Sequence, residues 1–245
     1  MALEAEAIYD TDTFVNFVYE ASKRIIYNGN TKAVFYMGNT GAGKTTVTQL
    51  LHGDLKNLRS VTVELYEYLI SDSNNKISSP ESIISKTFVP ELLQCLEQVS
   101  YYDCPGFCDN RSSLHDIAAT YFIKKVMTHF DHVKFVFTIS YPSLRPGVNR
   151  DDFLKLLGNV VTMNKNIQKF DKSIGLIITK VDNHPNKVGD IKGDDDILSS
   201  ATAFMNNVKM ELESKVLKGK NQCKEYYSNA IALIDILARK GKGIL

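Results

Sequence analysis

The sequence predicts an α/β fold: a mostly parallel sheet covered by helices on both faces, with one antiparallel edge strand. Short apolar runs alternate along the chain with stretches whose apolar residues recur at helical spacing, the pattern left by strands joined through helical crossovers. A glycine-rich segment, Gly38 to Thr45, stands between one such run and one such stretch. A further run, Phe88 to Leu96, can hairpin into the strand that ends at Asp103, which turns one edge antiparallel. The 245 residues suffice for one large α/β domain, or one domain with additions.

Taken in order, residues up to about Asn28 read as a helix. Asp10, Thr11 or Asp12 can cap it, and Phe14, Phe17, Val18, Ala21 and Ile25 fall at helical spacing. Because it precedes the first strand, residues 1–31 are expected to be an N-terminal helical extension packed on the flank of a domain spanning 32–245. Ala33 to Met37 is short, apolar and β-prone, as a buried parallel strand is. Thr45 to His52 is helix-compatible and carries Leu50 and Leu51 on an inward face. Ser60 to Ile70 alternates like a strand, Asp72 to Asn75 reads as a turn, and Lys76 to Ser85 is polar and loop-like. Leu114 to Phe130 is an amphipathic helix with Ile117, Ala118, Tyr121, Phe122 and Val126, followed by a strand from Val133 to Ile139. Two prolines and a glycine make Tyr141 to Gly147 a loop. Asp151 and Asp152 start a helix through Leu156 and Leu157, Ile174 to Ile178 is another buried-strand run, and Pro185 to Asp196 is a polar, acidic loop. Ile197 to Leu217 is helical, and Ala230 to Leu237 fits a strand or a helix equally.

Three segments carry chemistry. Gly38-Asn39-Thr40-Gly41-Ala42-Gly43-Lys44-Thr45 fits the phosphate loop G-x-x-x-x-G-K-[ST] in the strand–loop–helix setting that the pattern needs. Its glycines let successive N–H groups turn inward around phosphate oxygens, and the helix behind it aims its positive dipole end at the same place. Lys44 reaches the β- and γ-phosphates, the Thr45 hydroxyl ligates Mg²⁺, and Thr46 closes the loop-binding set. Asp103-Cys104-Pro105-Gly106 is a D-x-x-G at a strand end: the carboxylate holds Mg²⁺ through water and the Gly106 N–H senses a γ-phosphate. Thr179-Lys180-Val181-Asp182 matches the guanine-reading T-K-x-D. A carboxylate at Asp182 accepts from both N1–H and the 2-amino group of guanine, a donor pair adenine lacks. Two charge-assisted bonds at ~1.5–3 kcal/mol each give on the order of 10²–10⁴-fold preference for guanine. The Lys180 stem lies over the base. A switch threonine for Mg²⁺ and the γ-phosphate is expected at Thr87, at the mouth of the 88–96 strand, with Thr62 as the alternative.

Composition excludes other classes. Net charge is +1 with no run of one sign, so nothing argues for nucleic acid or for docking on acidic membrane. No stretch approaches transmembrane length, and the N-terminus lacks a charged leader followed by an apolar core. Cys95, Cys104, Cys108 and Cys223 have no metal-ligand spacing beyond one loose C-x-x-x-C, Cys104 to Cys108, which interrupts the Mg²⁺-binding turn, and they read as free thiols of a reducing, cytoplasmic setting.

At these motifs the chain resembles septins and their relatives, the immunity-associated (GIMAP-type) GTPases. The D-x-P-G-F-x-D form of Asp103 to Asp109 is septin-like, and the segment Phe135 to Leu157 is similar to the conserved box of the immunity-associated group. The resemblance covers roughly Lys32 to Leu217 and is loose between the motifs. It implies a P-loop NTPase three-layer sandwich, GTP or GDP with Mg²⁺, a homodimer or oligomer through the G domain, and in many members scaffolding on membranes. Two departures stand out. Phe107 and Cys108 occupy the region where Ras-type enzymes carry a water-orienting glutamine, and no S-A-K-like base-supporting element follows. The expectation is a slow Mg²⁺-dependent GTPase activated by self-association, with Arg145 or Arg111 acting in trans. The alternatives are a structural module that binds GTP or GDP with little hydrolysis, and an ATPase of the same fold.

Overall fold

The computed structural model describes residues 11–53, 55–64, 67–73, 77, 87–107, 113–147, 150–164, 166–181, 193–218 and 221–240. The elements run α1 (Thr11–Ser22), β1 (Lys32–Met37), α2 (Lys44–His52), β2 (Leu58–Glu64), β3 (Glu67–Asp72), β4 (Glu91–Leu96), β5 (Val99–Asp103), α3 (Ser113–Met127), β6 (His132–Ser140), α4 (Arg150–Met163), β7 (Ile174–Thr179), α5 (Asp194–Lys218) and α6 (Asn221–Lys240). The fold is α/β, with a mostly parallel, mixed five-stranded sheet of order β4-β5-β1-β6-β7 and a separate two-stranded sheet of β2 and β3. The chain divides into two compact units, Met1–Phe135 and Val136–Leu245, the boundary falling inside β6.

In the first unit, β1 pairs with β5 in parallel, Tyr36 standing opposite Asp103. β4 pairs with β5 antiparallel, as the hairpin reading expects. The two connecting residues, Glu97 and Gln98, both have positive φ (47° and 65°), the left-handed pair that a two-residue hairpin of this twist requires. β4 starts at Glu91 rather than Phe88, because Pro90 has no N–H to give the ladder. The core between strands and helix is aromatic: Phe35 stacks on Tyr102 at 5.3 Å, and Phe122, Ile123 and Val126 of α3 are fully buried.

Three expectations are corrected here. The run from Ser60 to Ile70 is not one strand: β2 and β3 fold on each other as a hairpin, with Ser60 opposite Ile70. Thr62 is mid-strand in β2, exposed and opposite Tyr68. The N-terminal helix stops at Ser22, well short of Asn28. There the Ser22 hydroxyl donates back to Val18 O at 2.7 Å, and the next amides bond three residues back, which tightens and ends the turn. α1 packs on α3 through Phe17, whose ring meets His115 and Phe122 edge-on. Finally, Leu50 and Leu51 face outward, more than half exposed. The inner face of α2 carries Lys44, Thr48 and Gln49, and His52 takes the inward place at its end.

In the second unit, α6 resolves the ambiguous C-terminal segment as helix. Ala230, Leu233, Ile234 and Leu237 are buried at the spacing of one helical face, against α4, α5 and β7. Phe153 of α4 meets Phe204 of α5 edge-on at 5.9 Å. Tyr141–Leu144 forms a 3₁₀ turn rather than a plain loop, which Pro142 tolerates because the first turn of a helix has no internal use for its N–H. Among the described residues no strand follows β7, and no helix is long and apolar enough to cross a membrane. Residues 78–86, 183–192 and the Asn74–Asn75 part of the expected turn lie outside the described residues.

His52 generates a prediction. Its Nε2 lies 2.7 Å from the Tyr36 hydroxyl and its ring 4.5 Å from that of Tyr101, so burial lowers its pKa, while burial pushes the Tyr36 hydroxyl up to about 12. An unfolded chain takes up the histidine proton near pH 6.5, the folded one only at lower pH; stability should therefore fall as pH drops through the window below about 6.5. Thermal unfolding across that window should show a shallower loss for His52→Gln than for wild type. Equal slopes would contradict the assignment.

Candidate functional site

The candidate site is built where β1 and β5 end side by side. Parallel pairing brings Tyr36 opposite Asp103, and the two chains stay paired after the strands finish. Cys104 N donates to Tyr36 O at 3.2 Å, Phe107 N to Gly38 O at 3.1 Å, and Thr40 N to Phe107 O at 2.9 Å. Asn39 and Phe107 form an isolated parallel bridge. The glycine-rich loop and the D-C-P-G turn are thus joined along one seam.

Within the loop, Gly41 and Gly43 take left-handed backbone (φ 78° and 87°), which side-chain-bearing residues resist. Gly43 is the N-cap of α2, and no side chain caps the helix. The first-turn amides of a helix have no partner within it, so the N-terminus of α2 presents donors and the positive end of its dipole. Ala42 N bonds to Asn39 O at 3.1 Å and Val47 N to Gly43 O at 3.0 Å, which fixes the loop against the first turn. Thr46 lies in that turn, partly exposed. Lys44 is 6% exposed and its Nζ donates to Asn39 O at 2.9 Å, so the ammonium lies across the loop.

Asp103, at the end of β5, is 1% exposed and accepts from Thr45 Oγ1 through Oδ2 at 2.8 Å. A buried carboxylate beside a threonine hydroxyl is a hard oxygen donor pair of the sort Mg²⁺ uses, since that ion keeps waters and takes one or two carboxylates plus phosphate oxygens. Among the described residues there is no group of three or more His, Cys, Asp or Glu that could hold a metal ion. Cys104 is a fully buried free thiol whose pKa burial and the neighbouring Asp103 push well up, partly opposed by Lys44; it stays protonated and inert.

Gly106 is where the seam is tightest. A β-carbon there would lie 2.5 Å from Thr40 Oγ1 and 2.7 Å from both Thr40 Cα and N. Phe107 is 3% exposed and held by both neighbours of the seam, so the residue after the D-x-x-G turn is locked in place. In the sequence Gly106 shows only as a phosphate sensor, not as a packing position. The signal was present: two parallel strands ending in register deliver their following loops side by side.

Thr87 is buried at 7% exposure, four residues before the start of β4, and so is neither a surface residue nor at the strand's mouth. In the second unit, Thr179 ends β7 with Oγ1 donating to Ile139 O at 3.4 Å, and Lys180 turns the chain with φ 52°, its side chain exposed. Arg145 is exposed beyond the 3₁₀ turn, its guanidinium 5.4 Å from the Tyr141 ring. Asp182 and Arg111 lie outside the described residues, as do Cys108 and Asp109. Comparison with protein families, curated proteins and solved structures finds no match to the chain.

The contacts at Gly106 set the second prediction. Gly106→Ala forces a methyl group into backbone atoms that hydrogen bonds hold fixed, and should cost ~1–3 kcal/mol as overpacking does. A lowered thermal midpoint in the absence of ligand is expected. An unchanged midpoint would mean that the seam is not closed as described.

Proposed function

We propose that the chain is a guanine-nucleotide-binding module of the P-loop NTPase type, a three-layer α/β sandwich, acting as a slow Mg²⁺-dependent GTPase that self-association activates. The observation that carries this reading is the 2.8 Å hydrogen bond from Thr45 to the buried Asp103. It joins the hydroxyl of G-x-x-x-x-G-K-T to the carboxylate of D-x-x-G, the two groups that phosphate-binding chemistry needs at one Mg²⁺.

The residues then take these roles. Loop amides from Gly38 to Thr46 and the α2 dipole hold the phosphates. Lys44 leaves the Asn39 carbonyl to neutralise β- and γ-oxygens. Thr45 and Asp103 would hold Mg²⁺, with Thr87 as the switch threonine; the ion supplies charge neutralisation at the phosphates when bound. Thr179, Lys180 and Asp182 read guanine, on the acceptor argument for the Asp182 carboxylate. The motifs also support kinship with septin and immunity-associated GTPases, hence a homodimer or oligomer. A buried free thiol at Cys104 suits a cytoplasmic setting.

Ligand-induced stabilisation tests the reading. GTP analogue with Mg²⁺ at about 100 Kd should stabilise wild type by ~2.7 kcal/mol and Lys44→Ala hardly at all. The quantity compared is the shift on adding ligand, because Lys44→Ala also loses the bond to Asn39 O. Equal shifts in the two proteins would remove Lys44 from the phosphate site.

One observation favours a second reading, a structural module that binds GTP or GDP and hydrolyses little. Phe107, the first residue after D-x-x-G, is buried, its side chain has no donor or acceptor, and its backbone N and O are bonded to Gly38 and Thr40, so it offers nothing to orient water. Hydrolysis would then depend on a group supplied in trans, and an arginine in that role is worth ~10³–10⁵-fold. Turnover per molecule should climb with protein concentration, and Arg145→Ala should flatten the climb while leaving GTP affinity intact. A rate per molecule that stays constant on dilution favours the structural module.

A further inference from the structure

We propose that Thr40 is the residue by which this site tells a nucleoside triphosphate from a diphosphate, its hydroxyl donating to an oxygen of the terminal phosphate. The inference rests on the guanine-nucleotide reading and goes further, because that reading uses Thr40 only as loop backbone.

Thr40 Oγ1 is buried and, among the described residues, has no hydrogen-bond partner. Buried hydroxyls nearly always find one, and an unsatisfied donor marks a place where something else is expected to bond. Its position says what. Oγ1 lies against Gly106, 2.5 Å from where a β-carbon would stand, and the Thr40 backbone is pinned by Thr40 N to Phe107 O at 2.9 Å. The Gly106 N–H, the group that D-x-x-G offers to a γ-phosphate, belongs to the same close approach. The hydroxyl and the residue that carries this amide thus stand at one place on the seam, beside the loop that holds Lys44 and Thr45. An anionic oxygen is the acceptor that two such donors suit, and a charged acceptor roughly doubles the strength of each bond.

The D-C-P-G turn covers Oγ1, so a phosphate oxygen reaches it when Gly106 moves off Thr40. Triphosphate binding and that shift of Gly106 are then one event, the Phe107 bonds to Gly38 and Thr40 staying in place. A diphosphate has no oxygen to place there, and leaves the hydroxyl as it is in the ligand-free fold.

The test uses the full chain as wild type, Thr40→Val, which keeps the β-branched shape without the hydroxyl, and Thr40→Ser, which keeps the hydroxyl. Affinities for GDP and for a non-hydrolysable GTP analogue are measured by calorimetry with Mg²⁺. Thr40→Val should bind the analogue on the order of 10–10²-fold more weakly, with GDP unchanged, and Thr40→Ser should behave as wild type. Ligand-free Thr40→Val should unfold at no lower temperature than wild type, since the hydroxyl it lacks had no partner. Equal losses for both nucleotides, or no loss for either, would overturn the proposal while leaving the guanine reading in place. Destabilised ligand-free Thr40→Val would overturn it too, by showing that the hydroxyl is already bonded. Wild type that binds neither nucleotide would overturn the guanine reading, and the proposal with it.

Discussion

The structure of the site depends on one constraint: the parallel pairing of β1 with β5 continues past the ends of both strands. Cys104 bonds to Tyr36, Phe107 to Gly38, and Thr40 to Phe107, so a glycine-rich loop and an acidic turn separated by some sixty residues become a single unit. The Thr45–Asp103 contact follows, because Asp103 ends β5 opposite Tyr36 while Thr45 opens the helix that leaves the loop. The need for glycine at 106 follows as well, since the two backbones approach too closely for any side chain.

Burial gives the seam its electrostatic character. Asp103 and Lys44 are both almost wholly removed from solvent, Asp103 next in the chain to the fully buried Cys104 thiol. Charged groups are costly to bury unless other groups bond to them, and here Thr45 and the Asn39 carbonyl supply those bonds. The same low-dielectric surroundings strengthen any bond made to an incoming anion. On the flank of α2, the pairing of His52 with Tyr36 and Tyr101 fills the inner face that leucines would otherwise take, leaving Leu50 and Leu51 exposed.

Much of this architecture is legible in the sequence. Ala33 to Met37 and Ile174 to Ile178 are short unbroken apolar runs, and both are strands; the β4–β5 hairpin and the helices α3, α4 and α5 also lie where their periodicity puts them. What the sequence leaves unread is set by tertiary contacts or by competing local bonds. Ser60 to Ile70 carries no turn signal, and Ala230 to Leu237 is an apolar run whose helical period shows only when its buried face is known. Thr87 looks like a loop residue by its polar neighbours and is buried. In the site, the motif letters name Lys44, Thr45, Asp103 and Gly106, but no spacing in the sequence tells that Thr40 and Phe107 close over the same seam. That knowledge comes from strand register.

Amide hydrogen exchange of the full chain, measured by mass spectrometry with and without nucleotide and Mg²⁺, tests the central claim most directly. A guanine triphosphate analogue should slow exchange in peptides covering residues 38–47, 103–107 and 179–182 together, and the matching adenine analogue should not. Unchanged exchange in 38–47 and 103–107 with the guanine analogue, or equal protection by both bases, would contradict the account.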